Sequence, residues 1–147
     1  MYSRIILAYD GSATGQQALL DIKDLAHWQH SHLTLVAVAP LVSMGMAGVE
    51  MGYLESTKPT ALEGSLKTQL HVGVETLRTM GFDADGELLK GEVIREVTRY
   101  AREQQADLIV VGHQQEKSLL RRWWSGSTAK SLVEEAPCNV LIVVHSD

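Results

Sequence analysis

The stretch KGEVIREVTRYAREQQADLIVVGH, Lys90 to His113, places a helical pattern directly before a strand pattern. Its second half contains DLIVVG, Asp107 to Gly112, a short run of β-branched and apolar residues. Such a nearly continuous run is typical of a strand covered on both faces, as in a parallel sheet. Its first half has apolar residues at helical spacing: Val93, Ile94, Val97, Tyr100 and Ala101. The stretch therefore predicts a helix followed by a buried parallel strand.

Four other runs predict strands of the same sheet. They are RIILAY (Arg4 to Tyr9), LTLVAVA (Leu33 to Ala39), NVLIVV (Asn139 to Val144) and a weaker DGELLK (Asp85 to Lys90). Each gap between strands contains a helical pattern, and the alternation of strands and helices predicts a doubly wound α/β domain with right-handed crossovers. One domain over residues 1–147 is the expectation for this length.

The helical patterns have recognisable ends. One begins after Ser12 or Thr14 as a cap, and one stops at Gly81. The last is expected from about Ser127 to Glu135, because Pro137 cannot continue a helix. The segment from Pro40 to Thr57 has no steady period, and a connection of this length is typical of a lid, an interface segment or a loop without a fixed structure.

Composition excludes several classes of protein. Hydrophobic residues make up 45% and charged residues 21% of the chain, and no apolar run approaches the roughly 18 to 20 residues of a membrane span. The net charge of -5 does not favour nucleic acid, although Lys117, Arg121 and Arg122 form a local basic patch. The N-terminus has no signal-peptide cleavage site, and the single Cys138 fits a reducing compartment. We therefore expect a cytoplasmic protein.

Two loops are candidates for a ligand site. In open α/β sheets ligands bind beyond the carboxyl ends of the strands, where the strand order reverses. The first strand ends in YDGS and the fourth in VGHQQ. If these strands are neighbours, Asp10 can accept a hydrogen bond from a base or a sugar, and Gly112 allows a ligand to approach the backbone. Alternatively, Asp-Gly-Ser after a strand is only a turn and a helix cap.

The start of the last helix is a candidate phosphate site. The free backbone N–H groups of Gly126, Ser127 and Thr128 open this helix, and a helix N-terminus favours anions through these donors and its dipole. The alternative interpretation is an ordinary helix cap.

Three segments together resemble the universal stress protein family. They are RIILAYDGS, KGEVIREVTRYAREQQADLIVVGH and SGSTAKSLVEEAPCNVLIV, and the resemblance covers essentially the whole chain. The resemblance implies a five-stranded parallel sheet in the order 3-2-1-4-5 with helices on both faces, a homodimer made by pairing of the last strands, and a role in stress survival. One branch of the family binds ATP through a motif G-x2-G-x9-G-[ST], and another branch lacks the motif and does not bind ATP.

The resemblance assigns roles to several residues. Gly112 matches the first glycine of the motif, and Gly126 with Ser127 matches its end. Asp10 matches the acidic residue at the adenine and ribose, and Val38 the apolar residue that closes over the adenine.

The middle of the motif departs from the family pattern. Gln115 stands in place of the second glycine, and ten residues instead of nine separate it from Gly126. A positive φ would cost a glutamine about 1 kcal/mol or more, and its side chain would occupy part of the phosphate path. Lys117, Arg121 or Arg122 could compensate by reaching a phosphate, or could be a solvated basic surface.

The histidines and the cysteine have alternative interpretations. His27, His30 and His32 could bind a transition metal, but histidines near a helix C-terminus more often complement the helix dipole. His113 follows Gly112 without a recognisable catalytic partner. Cys138 is interpreted as a small buried hydrophobe, with a reactive thiol as the alternative.

The adjacent Trp123 and Trp124 cannot share one face of a regular element, so they are interface or lid anchors, or one of them covers the sheet or a helix. The last strand, Asn139 to Val144, would be a liability as an unpaired edge, and pairing across a two-fold axis would remove it. The apolar last strand therefore independently favours a homodimer.

The sequence therefore predicts a homodimeric, ATP-binding stress protein in which Mg²⁺ is carried by the phosphates. Asp10 and Val38 are predicted to hold the adenosine. Gly112, Gln115, Gly126, Ser127 and Thr128 are predicted to line the phosphate path. Any hydrolysis is expected to be slow, because neither a base nor a Walker-type lysine is evident. The alternative is a stress-response dimer that binds no nucleotide and acts through protein–protein interaction.

Overall fold

The computed structural model describes residues 2–9, 13–21, 27–39, 61–114 and 126–145. Strands and helices alternate along these ranges, as the sequence predicts. The elements are β1 (Arg4–Tyr9), α1 (Ala13–Leu20), β2 (His32–Ala39), α2 (Ala61–Thr79), β3 (Asp83–Lys90), α3 (Val93–Glu103), β4 (Leu108–Gln114), α4 (Gly126–Glu135) and β5 (Asn139–His145). Within these ranges no helix is long and apolar enough to cross a membrane.

The strands form one sheet in the order β3-β2-β1-β4-β5, and every neighbouring pair is parallel. The predicted fold class and strand order are therefore confirmed. Two strands differ from the sequence prediction by two residues at one end: β4 ends at Gln114 and not at Gly112, and β3 begins at Asp83 and not at Asp85. Its first residues pair with the start of β2, where His32 lies opposite Asp83.

Both faces of the sheet are covered by helices. Alternate residues of β1 point to opposite faces, so that Ile5 and Leu7 pack with α1 and α2, whereas Ile6 and Ala8 pack with α3 and α4. Leu7 and Ala8 are fully buried. This two-sided burial explains why the strand sequences are apolar at successive positions.

Two of the helices end in the same hydrogen-bond motif. At the end of α2 the N–H of Gly81 donates to the carbonyl of Arg78, and the N–H of Phe82 donates to the carbonyl of Leu77. Gly81 has a φ of +96°, the left-handed conformation that this Schellman motif requires. The predicted stop at Gly81 is therefore confirmed.

At the end of α3 the corresponding left-handed position is held by Gln105, with a φ of +53°. The N–H of Ala106 donates to the carbonyl of Ala101, and the N–H of Gln105 donates to that of Arg102. A side chain is thus present where glycine is the favoured residue.

Hydrogen bonds of Asp107 connect the beginning of β1 with the beginning of β4. Its carboxylate accepts hydrogen bonds from the backbone N–H of Ser3 at 2.7 Å and of Arg4 at 3.0 Å. Its own N–H donates to the carbonyl of Arg4 at 2.9 Å. The two central strands therefore keep a fixed register at their amino ends.

Candidate functional site

The strand order reverses at β1, which has β2 on one side and β4 on the other. Ala8 pairs with Val111, so the carboxyl ends of β1 and β4 reach the same edge of the sheet. The two loops that the sequence proposes as ligand-binding loops therefore leave from neighbouring strands. A crevice at such a switch point is the usual position of a ligand in an open α/β sheet.

Val38 lies at the carboxyl end of β2, on the other side of β1. It follows Ala37, which pairs with Tyr9, and it pairs with Leu89 of β3. Its side chain is 4% exposed and packs in the core cluster that faces α3 and α4. Most of this side chain is thus committed to the core, and its backbone is the part that reaches the edge of the sheet.

Gly112 lies near the end of β4, paired with Val143 of β5. A Cβ at this position would lie 3.4 Å from the carbonyl oxygen of Gly15 and 3.5 Å from Cγ of Leu19, both in α1. These are ordinary contact distances, and the φ of Gly112 lies outside the left-handed range. An alanine would therefore fit, so neither packing nor backbone conformation requires a glycine here.

The last helix, α4, begins at Gly126, within one residue of the predicted start. Gly126, Ser127 and Thr128 occupy its first turn, whose N–H groups have no acceptor within the helix. The amide groups that the sequence assigns to a phosphate are therefore helix-terminal donors, as predicted.

Other predicted residues lie outside the described ranges. Among the candidate site residues these are Asp10, next after β1, and Gln115, next after β4. The basic residues Lys117, Arg121 and Arg122, the tryptophans Trp123 and Trp124, and the segment from Pro40 to Thr57 also lie outside them. The structure thus brings the ends of β1, β2 and β4 together, and the roles of these side chains stay predictions.

A buried polar network that the sequence did not predict lies beneath this edge. The Nε2 of Gln16, in α1, donates to the Tyr9 hydroxyl at 3.2 Å and to the Gln69 carbonyl at 2.8 Å. Tyr9 is fully buried and Gln16 is 7% exposed. The network connects the end of β1, directly before Asp10, with α1 and α2.

Gly73 makes room for this network. A Cβ there would lie 2.4 Å from Nε2 of Gln16 and 2.5 Å from Cδ2 of Leu35, so both side chains would have to move to admit a methyl group. A glycine in the interior of a helix costs about 1 kcal/mol relative to alanine, so its presence signals close packing. That glycine was the one sign of the network in the sequence.

Within the described residues no group of three or more histidine, cysteine, aspartate or glutamate side chains is arranged to hold a metal ion, and this includes the described part of the histidine cluster. His32 instead bridges two carboxylates of β3. Its Nδ1 lies 2.9 Å from Oδ2 of Asp83, and its Nε2 lies 3.1 Å from Oδ2 of Asp85. Both ring nitrogens are thus directed to carboxylates.

Cys138 is partly buried and packs against the core cluster on the α3 and α4 face. Burial raises the pKa of its thiol, and the negative charge of Asp107 raises it further, while a backbone hydrogen bond involving Ile109 lowers it. A raised pKa disfavours the reactive thiolate. The environment therefore supports the interpretation of Cys138 as a small hydrophobe.

The strand order and the parallel pairing define a doubly wound α/β domain, a class in which ligands usually bind at the carboxyl edge of the sheet. A family model described as "Universal stress protein family" matches residues 1–144. The chain therefore belongs to the universal stress protein family. A relative in Bacillus subtilis, the stress response protein NhaX, is 26% identical over 161 residues, which cover 95% of this chain and 96% of the relative.

Solved structures have the same fold. A universal stress protein in complex with cAMP has a TM-score of 0.69 and 20% identity, covering 99% of both chains. A universal stress protein from Archaeoglobus fulgidus in complex with dAMP has a TM-score of 0.64 and 20% identity, covering 97% of this chain and 98% of that one. At this identity the similarity establishes the fold of the present chain.

Proposed function

We propose that this protein binds an adenine nucleotide at the carboxyl edge of its sheet, with ATP as the expected ligand. The observation that carries the proposal is the position of β1 between β2 and β4, which brings the carboxyl ends of β1 and β4 to the same edge of the sheet. Two solved proteins of this fold are described as complexes with cAMP and dAMP, which supports an adenine nucleotide as the class of ligand.

The chemistry of the residues supports one orientation of the nucleotide, with the adenosine near the end of β1 and the phosphates at the start of α4. Asp10, directly after β1, would accept hydrogen bonds from the ribose or the adenine, and Val38, at the carboxyl end of β2, would contact the base chiefly through its backbone. The first-turn amides of α4, from Gly126 to Thr128, would receive the phosphates. Mg²⁺ would be carried by the phosphates, and hydrolysis would be slow.

A homodimer formed by β5 is part of the proposal. Leu141 and Ile142 of β5 are 37% and 40% exposed, and Val133 of the preceding helix is 68% exposed. Successive residues of a strand face opposite sides, so apolar surface continues around this edge. Pairing of two β5 strands across a two-fold axis would cover it.

We further propose a cytoplasmic location, in keeping with the single Cys138, which is free.

Isothermal titration with Mg-ATP, Mg-ADP and AMP tests the nucleotide proposal. The expected result is saturable binding that Asp10→Ala weakens, because the adenosine loses its acceptor. Asp21→Ala is the matched control, since Asp21 is exposed and accepts only from Gln17 among the described side-chain contacts. No binding at millimolar nucleotide would refute the proposal.

The variant Gly112→Ala distinguishes a role of Gly112 in ligand binding from a role in folding. The added methyl group fits against Gly15 and Leu19 at ordinary contact distance, so the melting temperature should change little. If the nucleotide passes close to this backbone, affinity should fall while stability is retained. Equal losses of affinity and stability would assign Gly112 to packing alone.

A second candidate function is a dimer that binds no nucleotide and acts by protein–protein interaction. The observation that favours it is Gln115 in place of the second glycine, one residue after the end of β4. Gln115→Gly tests it directly. If the native chain binds no ATP and this variant does, the glutamine closes the phosphate path.

A further inference from the structure

The outer edge of β3 carries a groove that is separate from the candidate nucleotide site. β3 pairs with β2 on one side, and no strand within the described ranges pairs with its other side. A groove of about 660 Å³ follows this edge. It lies between Lys67 and other residues of α2 on one face of the sheet and Tyr100 of α3 on the other.

Part of the β3 backbone along this groove has no hydrogen-bond partner among the described residues. The N–H of Gly91 donates to Ala39 at the end of β2, whereas the carbonyl of Ala84 accepts from Nε of Arg78. Because backbone groups alternate in direction along a strand, Ala84, Gly86 and Leu88 direct their N–H and C=O groups outward. Arg78 covers the first of these, which leaves Gly86 and Leu88 with outward-directed groups.

The two faces of this edge carry opposite charges. Glu87 pairs with Val36, whose side chain belongs to the cluster that faces α3, so Glu87 lies on the α3 face. Burial of Tyr100 raises the pKa of its hydroxyl, and the negative charge of Glu87 raises that pKa further. Lys67 lines the groove from α2 on the opposite face. Within the described residues, Glu87 and Lys67 form no hydrogen bond or ion pair through their side chains.

We propose that the edge from Gly86 to Leu88 binds an extended peptide segment of a partner protein by strand addition, and that this segment carries a basic residue next to an acidic one. Neighbouring side chains of an added strand point to opposite faces. The basic side chain meets Glu87 and the ring of Tyr100, and the acidic side chain meets Lys67.

The charges argue against a second copy of this chain at the same edge. Antiparallel pairing of β3 with β3 across a two-fold axis would continue each face of the sheet into the same face of the partner. Asp83, Asp85 and Glu87, which alternate along β3 and share the α3 face, would then meet the same carboxylates of the partner. His32 and Arg78 partly offset the charges of Asp83 and Asp85, whereas Glu87 has no ion-pair partner within the described residues. Like charges directly opposite each other destabilise a strand pair. Charged edges of this kind protect a sheet from self-pairing.

Two peptides of the same composition test the proposal on the full chain. The first is acetyl-Thr-Val-Lys-Glu-Val-Thr-amide, in which Lys and Glu point to opposite faces. The second is acetyl-Thr-Lys-Val-Glu-Val-Thr-amide, in which they point to one face. Binding is followed by the hydrogen exchange of individual backbone amides. The first peptide, at millimolar concentration, is expected to slow exchange at Gly86 and Leu88 and to leave Glu87, which faces β2, unchanged.

The charge pairs give a quantitative expectation. Glu87→Lys should weaken the first peptide about two- to fivefold, as expected for loss of one cross-strand charge pair. The exposed Glu135→Lys, on α4, is the matched control and should leave the affinity unchanged. The second peptide should bind more weakly than the first.

Three results would overturn the proposal: equal binding of the two peptides, no added protection at Gly86 and Leu88, or protection there that depends on protein concentration without peptide. The last result would assign the edge to a second copy of the chain.

Discussion

Replacing Gln105 by glycine should stabilise this protein, which is unusual for a change that removes a whole side chain. Gln105 has a φ of +53° at the end of α3 and is exposed to solvent. Its side chain forms no hydrogen bond or ion pair within the described residues, so no contact is lost there. The left-handed conformation costs a non-glycine residue about 1 to 2 kcal/mol.

Part of that gain is offset, because glycine has more freedom in the unfolded chain, which costs about 0.4 to 1 kcal/mol. Gln105→Gly should therefore raise the free energy of unfolding by about 0 to 1.6 kcal/mol, and at the midpoint of about 0.8 kcal/mol the melting temperature should rise by about 2 to 3 °C. Urea unfolding followed by circular dichroism, at one protein concentration, measures the change in the free energy of unfolding. The slope of the free energy against urea should stay the same, because the surface exposed on unfolding does not change.

Two glycines of α2 and its end supply matched controls. No atom lies within 4 Å of a Cβ added at Gly81 or at Gly64, so neither substitution creates a steric clash. Gly81 has a φ of +96°, and Gly81→Ala should destabilise by about 1 kcal/mol. Gly64 is helical and exposed, and Gly64→Ala should stabilise by about 0.5 to 1 kcal/mol. A destabilised Gln105→Gly variant, with both controls as expected, would refute the reasoning.

Three further predictions follow from the packing. Gly73→Ala should lower the free energy of unfolding by about 1 to 3 kcal/mol, measured by urea titration, because the methyl group would displace the Gln16 side chain. Unchanged stability would contradict the close approach of Gln16 to Gly73. Asp107→Ala should cost about 1 to 3 kcal/mol by the same assay, and Asp107→Asn less, since the amide oxygen still accepts from Ser3 or Arg4. At pH 8 the thiol of Cys138 should react with iodoacetamide more slowly in the folded protein than in the urea-unfolded chain, because a raised pKa lowers the fraction of thiolate. The rate in the folded protein should rise with pH. Equal rates in the two states would show an unperturbed thiol.

The sequence predicted the central strand β1 best, because burial on both faces leaves a continuous apolar signal. The predicted and observed limits of β1 are identical, Arg4 to Tyr9. At β3 the residues Asp83 to Gly86 resemble a turn, since aspartate and glycine are depleted in strands. They form a strand because β2 supplies a complete pairing partner and His32 binds the carboxylates of Asp83 and Asp85. Such long-range contacts leave no local pattern.

The candidate site was predictable to the extent that it depends on topology. The glycine at 112 and the helix start at Gly126 were visible as motif ends, and the strand order set β1 beside β4. The network of Tyr9 and Gln16 was not predictable, because Gln16 reaches a carbonyl 53 positions away, at Gln69. Its position depends on how α1 and α2 pack together, and a helix-interior glycine alone does not identify the partner.

The two edges of the sheet differ in chemistry, and this difference separates the two proposed interactions. β5 presents the uncharged side chains of Leu141 and Ile142 to solvent, so pairing with an identical strand brings no like charges of these residues together. β3 presents carboxylates on one face, with Lys67 of α2 near the other, and therefore disfavours an identical strand while suiting one with adjacent opposite charges. A dimer formed through β5 would leave both β3 edges at the outside of a continuous sheet. The assembly could then self-associate at one edge and select a different partner at the other, without either contact covering the switch point between β1 and β4.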